Sequence, residues 1–99
     1  MADFEWDPRK ASQNRRKHGI EFTTATLIWE GLVLERIDSR RDYGEIRFQA
    51  FGVAEDRVLT VVYTRRANAR RLISARRANS RETSLYEAEI SRRKTASTD

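Results

Sequence analysis

The chain has 99 residues, of which 20 are basic and 15 acidic, so its formal net charge is +5. A chain of this length forms one domain with a small core, and its lack of cysteine excludes disulfides and thiolate metal sites. No apolar run reaches membrane-spanning length, and the first residues lack the order of a signal peptide. We therefore expect a cytoplasmic protein with one domain over residues 1–94 and a frayed tail over 95–99.

Two short helices are predicted near the N-terminus. Asp7 is a good N-cap, Pro8 fits the first helical position, and Gly19 after His18 suits a left-handed C-cap. A second helix is predicted over about 23–29, before Gly31.

Four strands should follow, over 32–37, 45–51, 58–64 and 71–76. The second alternates apolar and polar residues, and Gly52 is expected to end it before a loop at 54–57. Short connections then favour an antiparallel meander.

A final helix is predicted over about 80–93. Asn79 with Glu82 resembles a capping box, and Leu85, Tyr86, Ala88 and Ile90 are expected to face inward. The fold class is therefore α+β: two short helices, a four-stranded antiparallel sheet and a C-terminal helix. One face of the sheet should carry the helices and the other should be open.

Arginine is concentrated in and around the last two predicted strands. Eight arginines and no acidic residue lie between Arg57 and Arg81. Planar, permanently charged guanidinium groups on a rigid sheet suit a phosphate-rich ligand, which makes nucleic acid the first hypothesis. Arg71 and Arg76 differ by five positions, so they should point to opposite faces unless a bulge intervenes.

The ordered motifs of the chain resemble the BrnT family of toxins over about residues 4–87. The residues that carry the resemblance are Phe4–Asp7, Asn14, Lys17–Ile20, Phe22, Glu45, Arg47, Gly52, Val61–Thr64, Arg66, Arg71–Ala78, Glu82 and Tyr86. The resemblance implies a RelE-like fold and a ribonuclease toxin of a type II toxin–antitoxin system, which inhibits translation and growth. It also implies a cognate BrnA-like antitoxin that neutralises the toxin and binds operator DNA. A homodimer and a heterotetramer with the antitoxin both stay open.

Metal-free RNA cleavage uses the 2′-hydroxyl as nucleophile and needs a base, an acid and positive charge on the phosphoryl group. The candidate catalytic residues are His18, Glu45, Arg47, Arg66 and Arg76. The candidate RNA-binding residues are Trp6, Lys17, Tyr63, Arg71 and Arg81. For each there is a structural alternative: a helix-end cation, a salt-bridge partner, a core aromatic ring or a solvated arginine.

No metal or other cofactor is expected, because one histidine and the absence of clustered acidic residues do not suit a catalytic metal. Two other functions remain open from the residues. The chain could be a basic module that binds nucleic acid without cleaving it, or an interaction protein whose basic face receives an acidic antitoxin segment.

Overall fold

The computed structural model describes residues 3–96, with side chains up to Thr95. In chain order its elements are β1 (Asp3–Glu5), α1 (Pro8–His18), α2 (Phe22–Ala25), a 3₁₀ helix (Thr26–Glu30), β2 (Leu34–Ile37), β3 (Arg47–Ala54), β4 (Arg57–Arg66), β5 (Ala69–Arg77) and α3 (Ser80–Ala96). The α+β class is confirmed. Of the predicted tail, residues 97–99 lie outside the described residues, and α3 runs to Ala96.

The sheet has five strands in the order β1-β5-β4-β3-β2. The predicted meander is present in β2 to β5, but β1 pairs in parallel with β5, with Phe4 opposite Arg70. The prediction of a purely antiparallel, four-stranded sheet was therefore wrong. A three-residue strand has too few positions to show a period of two, and its pairing depends on a partner more than 60 residues away.

The hairpin between β3 and β4 is tighter than expected. Strand β3 continues through Gly52 to Ala54. Only Glu55 and Asp56 form the turn, and both have positive φ. Two-residue hairpin loops commonly have positive φ at both positions, which fits the twist of the strands. Gly52 does not end the strand but is required inside it, since a Cβ there would lie 2.7 Å from the Cβ of Ile28.

The predicted ends of α1 are confirmed. The Asp7 carboxylate accepts a hydrogen bond from the amide of Arg9, Pro8 begins the helix, and Gly19 adopts a φ of 72°. The predicted second helix is one α-helical turn followed by the 3₁₀ helix, with Ala25 and Ile28 fully buried.

The main core lies between α1, α2 and the 3₁₀ helix and one face of the sheet. Leu59, Val61 and Tyr63 of β4 point into it and meet Phe22 and Ile28.

Asn14 attaches α1 to the edge of β5. Its side-chain amide donates to the carbonyl oxygen of Ala75 at 2.8 Å and accepts from the Ala75 amide at 2.9 Å, as a neighbouring strand would. The side-chain amide of Asn14 also donates to the carbonyl oxygen of Ile20, which attaches the turn after α1 to Asn14.

The opposite face is not fully open, because α3 crosses it. Glu82 accepts from the hydroxyl of Thr60, and the Tyr86 hydroxyl donates to the carbonyl of Leu32. The predicted capping box is confirmed: Glu82 accepts from the Asn79 amide, and Asn79 accepts from the Glu82 amide. Leu85 is half exposed and Ala88 is exposed, so the predicted inward face of α3 was only partly correct.

A β-bulge in β5 decides which way its arginines point. Val62 pairs with Ser74 and Tyr63 with Leu72, so Ile73 is the extra residue. Arg71 is consequently opposite Thr64, and Arg76 is opposite Thr60. Thr60 and Thr64 are four residues apart on β4, so their side chains point to the same face of the sheet. Both arginines therefore lie on the face that α3 partly covers.

Candidate nucleic-acid interface

Arg47, Thr64 and Arg71 form a row across three neighbouring strands. Thr64 of β4 is directly opposite Arg47 on one side and Arg71 on the other. Side chains that are directly opposite project from the same face of a sheet. We call this surface, formed by Arg47, Thr64, Arg71, Ser74 and Arg76, the arginine face.

Arg47 is held in place from two sides. Its Nε donates to Glu45 at 3.2 Å, and its guanidinium carbon lies 4.1 Å from the ring centroid of Tyr43. Glu45 is thus the salt-bridge partner of Arg47, which was the structural alternative for this carboxylate. The pair orients the guanidinium group and leaves part of it accessible, since Arg47 retains 23% of its side-chain exposure.

Arg71 is oriented by β1. Its terminal nitrogen donates to Glu5 at 2.7 Å, and Glu5 lies beside it in the parallel pairing. Both side chains keep solvent access, at 29% and 41% exposure. A partly exposed guanidinium group with one carboxylate contact still has free N–H groups for a phosphate.

Arg76 makes a different kind of contact. Two of its nitrogens donate to the two oxygens of Glu82 at 2.8 and 2.9 Å, and Glu82 is buried. Hydrogen bonds from Arg76, the Asn79 amide and Thr60 lower the pKa of Glu82 to about 2. This bidentate pair attaches α3 to the sheet, so Arg76 has a structural contact whether or not it also meets RNA.

His18 lies at the end of α1 beside the edge of the arginine face. It lines a cleft of about 160 Å³ together with Lys10, Gln13, Asn14, Lys17, Ile73 and Ser74. Burial, Lys17 and Arg76 lower the pKa of His18 below its ordinary value of 6.5. The imidazole is therefore largely neutral at pH 7 and can accept a proton.

Three other predicted site residues are exposed cations. Arg66 is two residues after Thr64 on β4 and points to the same face of the sheet. Arg81 lies in the first turn of α3, and Lys17 borders the His18 cleft. They add positive charge near the arginine face.

Two predicted aromatic contacts are placed differently. Tyr63 is fully buried, stacks with Phe48 at 5.3 Å and donates to Glu35 at 2.6 Å. It is a core tyrosine with no ring face free for a base, which corrects its assignment to RNA binding. Trp6 is half buried and packs edge-on against Phe22 at 5.7 Å, so it too belongs to the packing of the core.

The candidate residues thus fall into two groups along β5. Arg47, Arg66 and Arg71 lie near one end of the arginine face, and Lys17, His18 and Arg76 lie near the other. Arg71 and Arg76 are opposite Thr64 and Thr60, which are four residues apart on β4 and therefore about 13 Å apart. One phosphate cannot contact both groups, so a bound RNA strand would have to extend over several nucleotides.

The sequence reading did not identify Lys10 or Ser74. Lys10 is seven residues before Lys17 on α1, and this helical spacing places both cations on one side of the helix. Ser74 lies within the motif Arg71–Ala78, but a single serine in a strand does not indicate a site, and only the packing of α1 beside β5 places it in the cleft.

Within residues 3–95, no group of three His, Asp or Glu side chains could hold a metal ion. Among the helices that the structure describes, none has the length and apolar character needed to cross a membrane.

Comparisons with known proteins identify the family and a similar fold. The sequence matches the family model described as ribonuclease toxin, BrnT, of type II toxin–antitoxin system over residues 6–82. The fold is similar to the crystal structure of the Brucella abortus ribonuclease toxin BrnT, with a TM-score of 0.59 and 20% sequence identity over 81% of this chain and 100% of that one. No functionally curated protein matches the sequence. Because the family model covers most of the chain, the protein belongs to the BrnT toxin family of type II toxin–antitoxin systems.

Proposed function

We propose that the protein is a metal-independent endoribonuclease that cleaves cellular RNA through attack of the 2′-hydroxyl, and that it thereby inhibits translation and growth. The observation that carries the proposal is the position of His18. The only histidine of the chain lines a cleft with Lys17 and Ser74, and burial and the charges of Lys17 and Arg76 lower its pKa. A neutral imidazole next to fixed positive charge can take the proton of a 2′-hydroxyl while the cations stabilise the phosphoryl group.

The remaining residues then have distinct roles. Arg47, Arg66 and Arg71 bind phosphates of the extended RNA strand, because their guanidinium groups retain free donors and solvent access. Glu45 positions Arg47 rather than acting as the base. Arg81 adds a cation at the start of α3. Arginine is a poor proton donor, so the acid that protonates the leaving oxygen is Lys17 or a His18 that has gained the proton.

The partners follow from the type of system. A BrnA-like antitoxin would bind and neutralise the toxin, and the complex would contact operator DNA through the antitoxin. The family description of a type II system supports a protein antitoxin.

One observation favours the second candidate, a basic module that binds nucleic acid without cleaving it. Each of the three strand arginines of the arginine face already has a carboxylate partner: Glu45, Glu5 and Glu82. The carboxylates partly neutralise the positive charge that would stabilise a cleavage transition state, whereas the remaining N–H groups can still bind phosphate.

RNA cleavage in EDTA separates the two candidates. Purified protein is incubated with a labelled single-stranded RNA and, in parallel, with translating ribosomes. His18→Gln and Arg71→Ala are tested beside Arg57→Ala, which removes the same charge at the far end of β4. The nuclease predicts cleavage by the wild type and by Arg57→Ala, and strong loss in the other two.

Arg76→Ala is a poor first variant, because it leaves the buried carboxylate of Glu82 without its partner and can reduce activity by loosening α3. Binding without cleavage, on free RNA and on ribosomes alike, would contradict the nuclease and favour the binding module.

A further inference from the structure

A second pair of arginines lies on the other face of the sheet. Arg65 of β4 and Arg70 of β5 are directly opposite each other. They form the second residue pair from the hairpin turn, after the pair Arg66 and Ala69. Their sequence neighbours Arg66 and Arg71 project to the arginine face, so successive residues place cations on both sides of this hairpin. Two like charges directly opposite each other disfavour a strand pair.

Aromatic rings form the floor beneath these two guanidinium groups. The guanidinium carbon of Arg70 lies 4.8 Å from the ring centroid of Trp29 and 5.7 Å from that of Tyr63. The guanidinium carbon of Arg65 lies 5.8 Å from the ring of Phe48 and 5.9 Å from that of Tyr63. Cation–π contacts hold both guanidinium groups in place, and Arg70 also interacts with the Tyr63 hydroxyl.

Neither arginine has a carboxylate partner among residues 3–95, in contrast to Arg47, Arg71 and Arg76. The Nε of Arg70 is buried and has no hydrogen-bond acceptor, and the same holds for the Nε1 of neighbouring Trp29. The nearby Glu35 accepts from the Tyr63 hydroxyl. Two adjacent like charges without a carboxylate are unfavourable. An anion that contacts the exposed Arg65 and the accessible part of Arg70 would compensate for them.

We propose that Arg65 and Arg70 form a phosphate subsite that binds the backbone of RNA outside the arginine face. The inference rests on the proposed function, because it concerns the same RNA. Two guanidinium forks suit the two non-bridging oxygens of a phosphodiester. Cations on both faces of one hairpin end suit a continuous polyanion that passes around it, whereas a single carboxylate of a protein partner would satisfy one fork.

The test measures binding of a fluorescent, single-stranded 2′-O-methyl RNA, which lacks the nucleophile for cleavage, over a series of salt concentrations. Arg65→Ala is the main variant because Arg65 is exposed and its loss leaves the core intact. Arg57→Ala is the matched control, an exposed arginine of the same strand. Arg70→Lys retains the charge but removes the planar fork, and thermal unfolding of each variant verifies that it folds.

The subsite predicts that Arg65→Ala weakens binding about three- to tenfold and reduces the slope of log K against log salt by about 0.7. Arg70→Lys should weaken binding in the same direction, and Arg57→Ala should leave affinity within about twofold of the wild type. Equal effects of Arg65→Ala and Arg57→Ala would overturn the subsite.

A glutamate-rich peptide is tested in parallel. If Arg65→Ala weakens binding of the peptide and not of the RNA, the proposal is overturned and the pair is assigned to an acidic protein partner. Cleavage of unmodified RNA by the wild type is scored separately. Cleavage without an effect of Arg65 on RNA binding overturns the subsite alone, whereas Arg65-dependent binding without cleavage supports the subsite and overturns the nuclease.

Discussion

Arg76 of β5 and Glu82 of α3 form a bidentate ion pair, with nitrogen–oxygen distances of 2.8 and 2.9 Å, that attaches the C-terminal helix to the sheet. The same carboxylate accepts from Thr60 and from the amide of Asn79. One buried side chain therefore caps α3 and fixes its position on the sheet.

Stability should depend on pH through Glu82. Its pKa is about 2 in the folded protein and would be near 4.3 in the unfolded chain, so its contribution is present above about pH 5 and is lost as the pH falls towards 2. We expect Glu82→Gln to lower the free energy of unfolding by about 2–3 kcal/mol at pH 6 and by much less near pH 2.5. Urea unfolding at several pH values measures this difference, and a difference independent of pH would contradict the role of the charge.

The rate of RNA cleavage should depend on pH through His18. Burial and the charges of Lys17 and Arg76 lower its pKa, so the base form is present at pH 7 and is lost as the pH falls below 6.5. We expect the logarithm of the single-turnover rate to decline with a slope near one on the acidic side. His18→Gln should remove this decline together with most of the activity. An unchanged profile in His18→Gln would assign the proton transfer to another group.

A methyl group at Gly52 should destabilise the fold. The Cβ of an alanine would lie 2.7 Å from the Cβ of Ile28, and both residues are in the packed contact between β3 and the 3₁₀ helix. We expect Gly52→Ala to lower the free energy of unfolding by about 1–3 kcal/mol. Gly31→Ala is the control, because nothing lies within 4 Å of its added Cβ. Thermal unfolding compares the two, and equal melting temperatures would contradict the close packing.

Replacing Ala67 with glycine should stabilise the protein. Ala67 is the first residue of the turn between β4 and β5 and has a φ of 53°, a conformation that costs an L-residue roughly 1–2 kcal/mol. After the larger conformational entropy of glycine in the unfolded chain is subtracted, we expect a gain of about 0.5–1 kcal/mol.

Ala88→Gly on the exposed side of α3 provides the opposite control for Ala67→Gly. Its loss of helix propensity should cost about 1 kcal/mol. Chemical denaturation of both variants measures the two effects. A decrease in stability for Ala67→Gly would show that the turn does not strain the alanine.

Features that depend on a few neighbouring residues were predictable from the sequence. Asp7, Pro8 and Gly19 define the ends of α1, and Asn79 with Glu82 begins α3, because capping uses hydrogen bonds between residues only two to four positions apart. Strand-like segments predicted β2 to β5, with clean alternation of apolar and polar residues in β3, and the concentration of arginine predicted a basic surface.

Only the tertiary structure decided which of these arginines act together. The extra residue Ile73 brings Arg71 and Arg76 to one face, and a strand at the distant N-terminus supplies Glu5 to Arg71. The charge of Arg76 lowers the pKa of His18 because Asn14 attaches α1, which carries His18, to the edge of β5. Local sequence determines the caps and the strand periods, whereas bulges, strand partners and ion pairs depend on contacts between segments far apart in the chain, which no local pattern records.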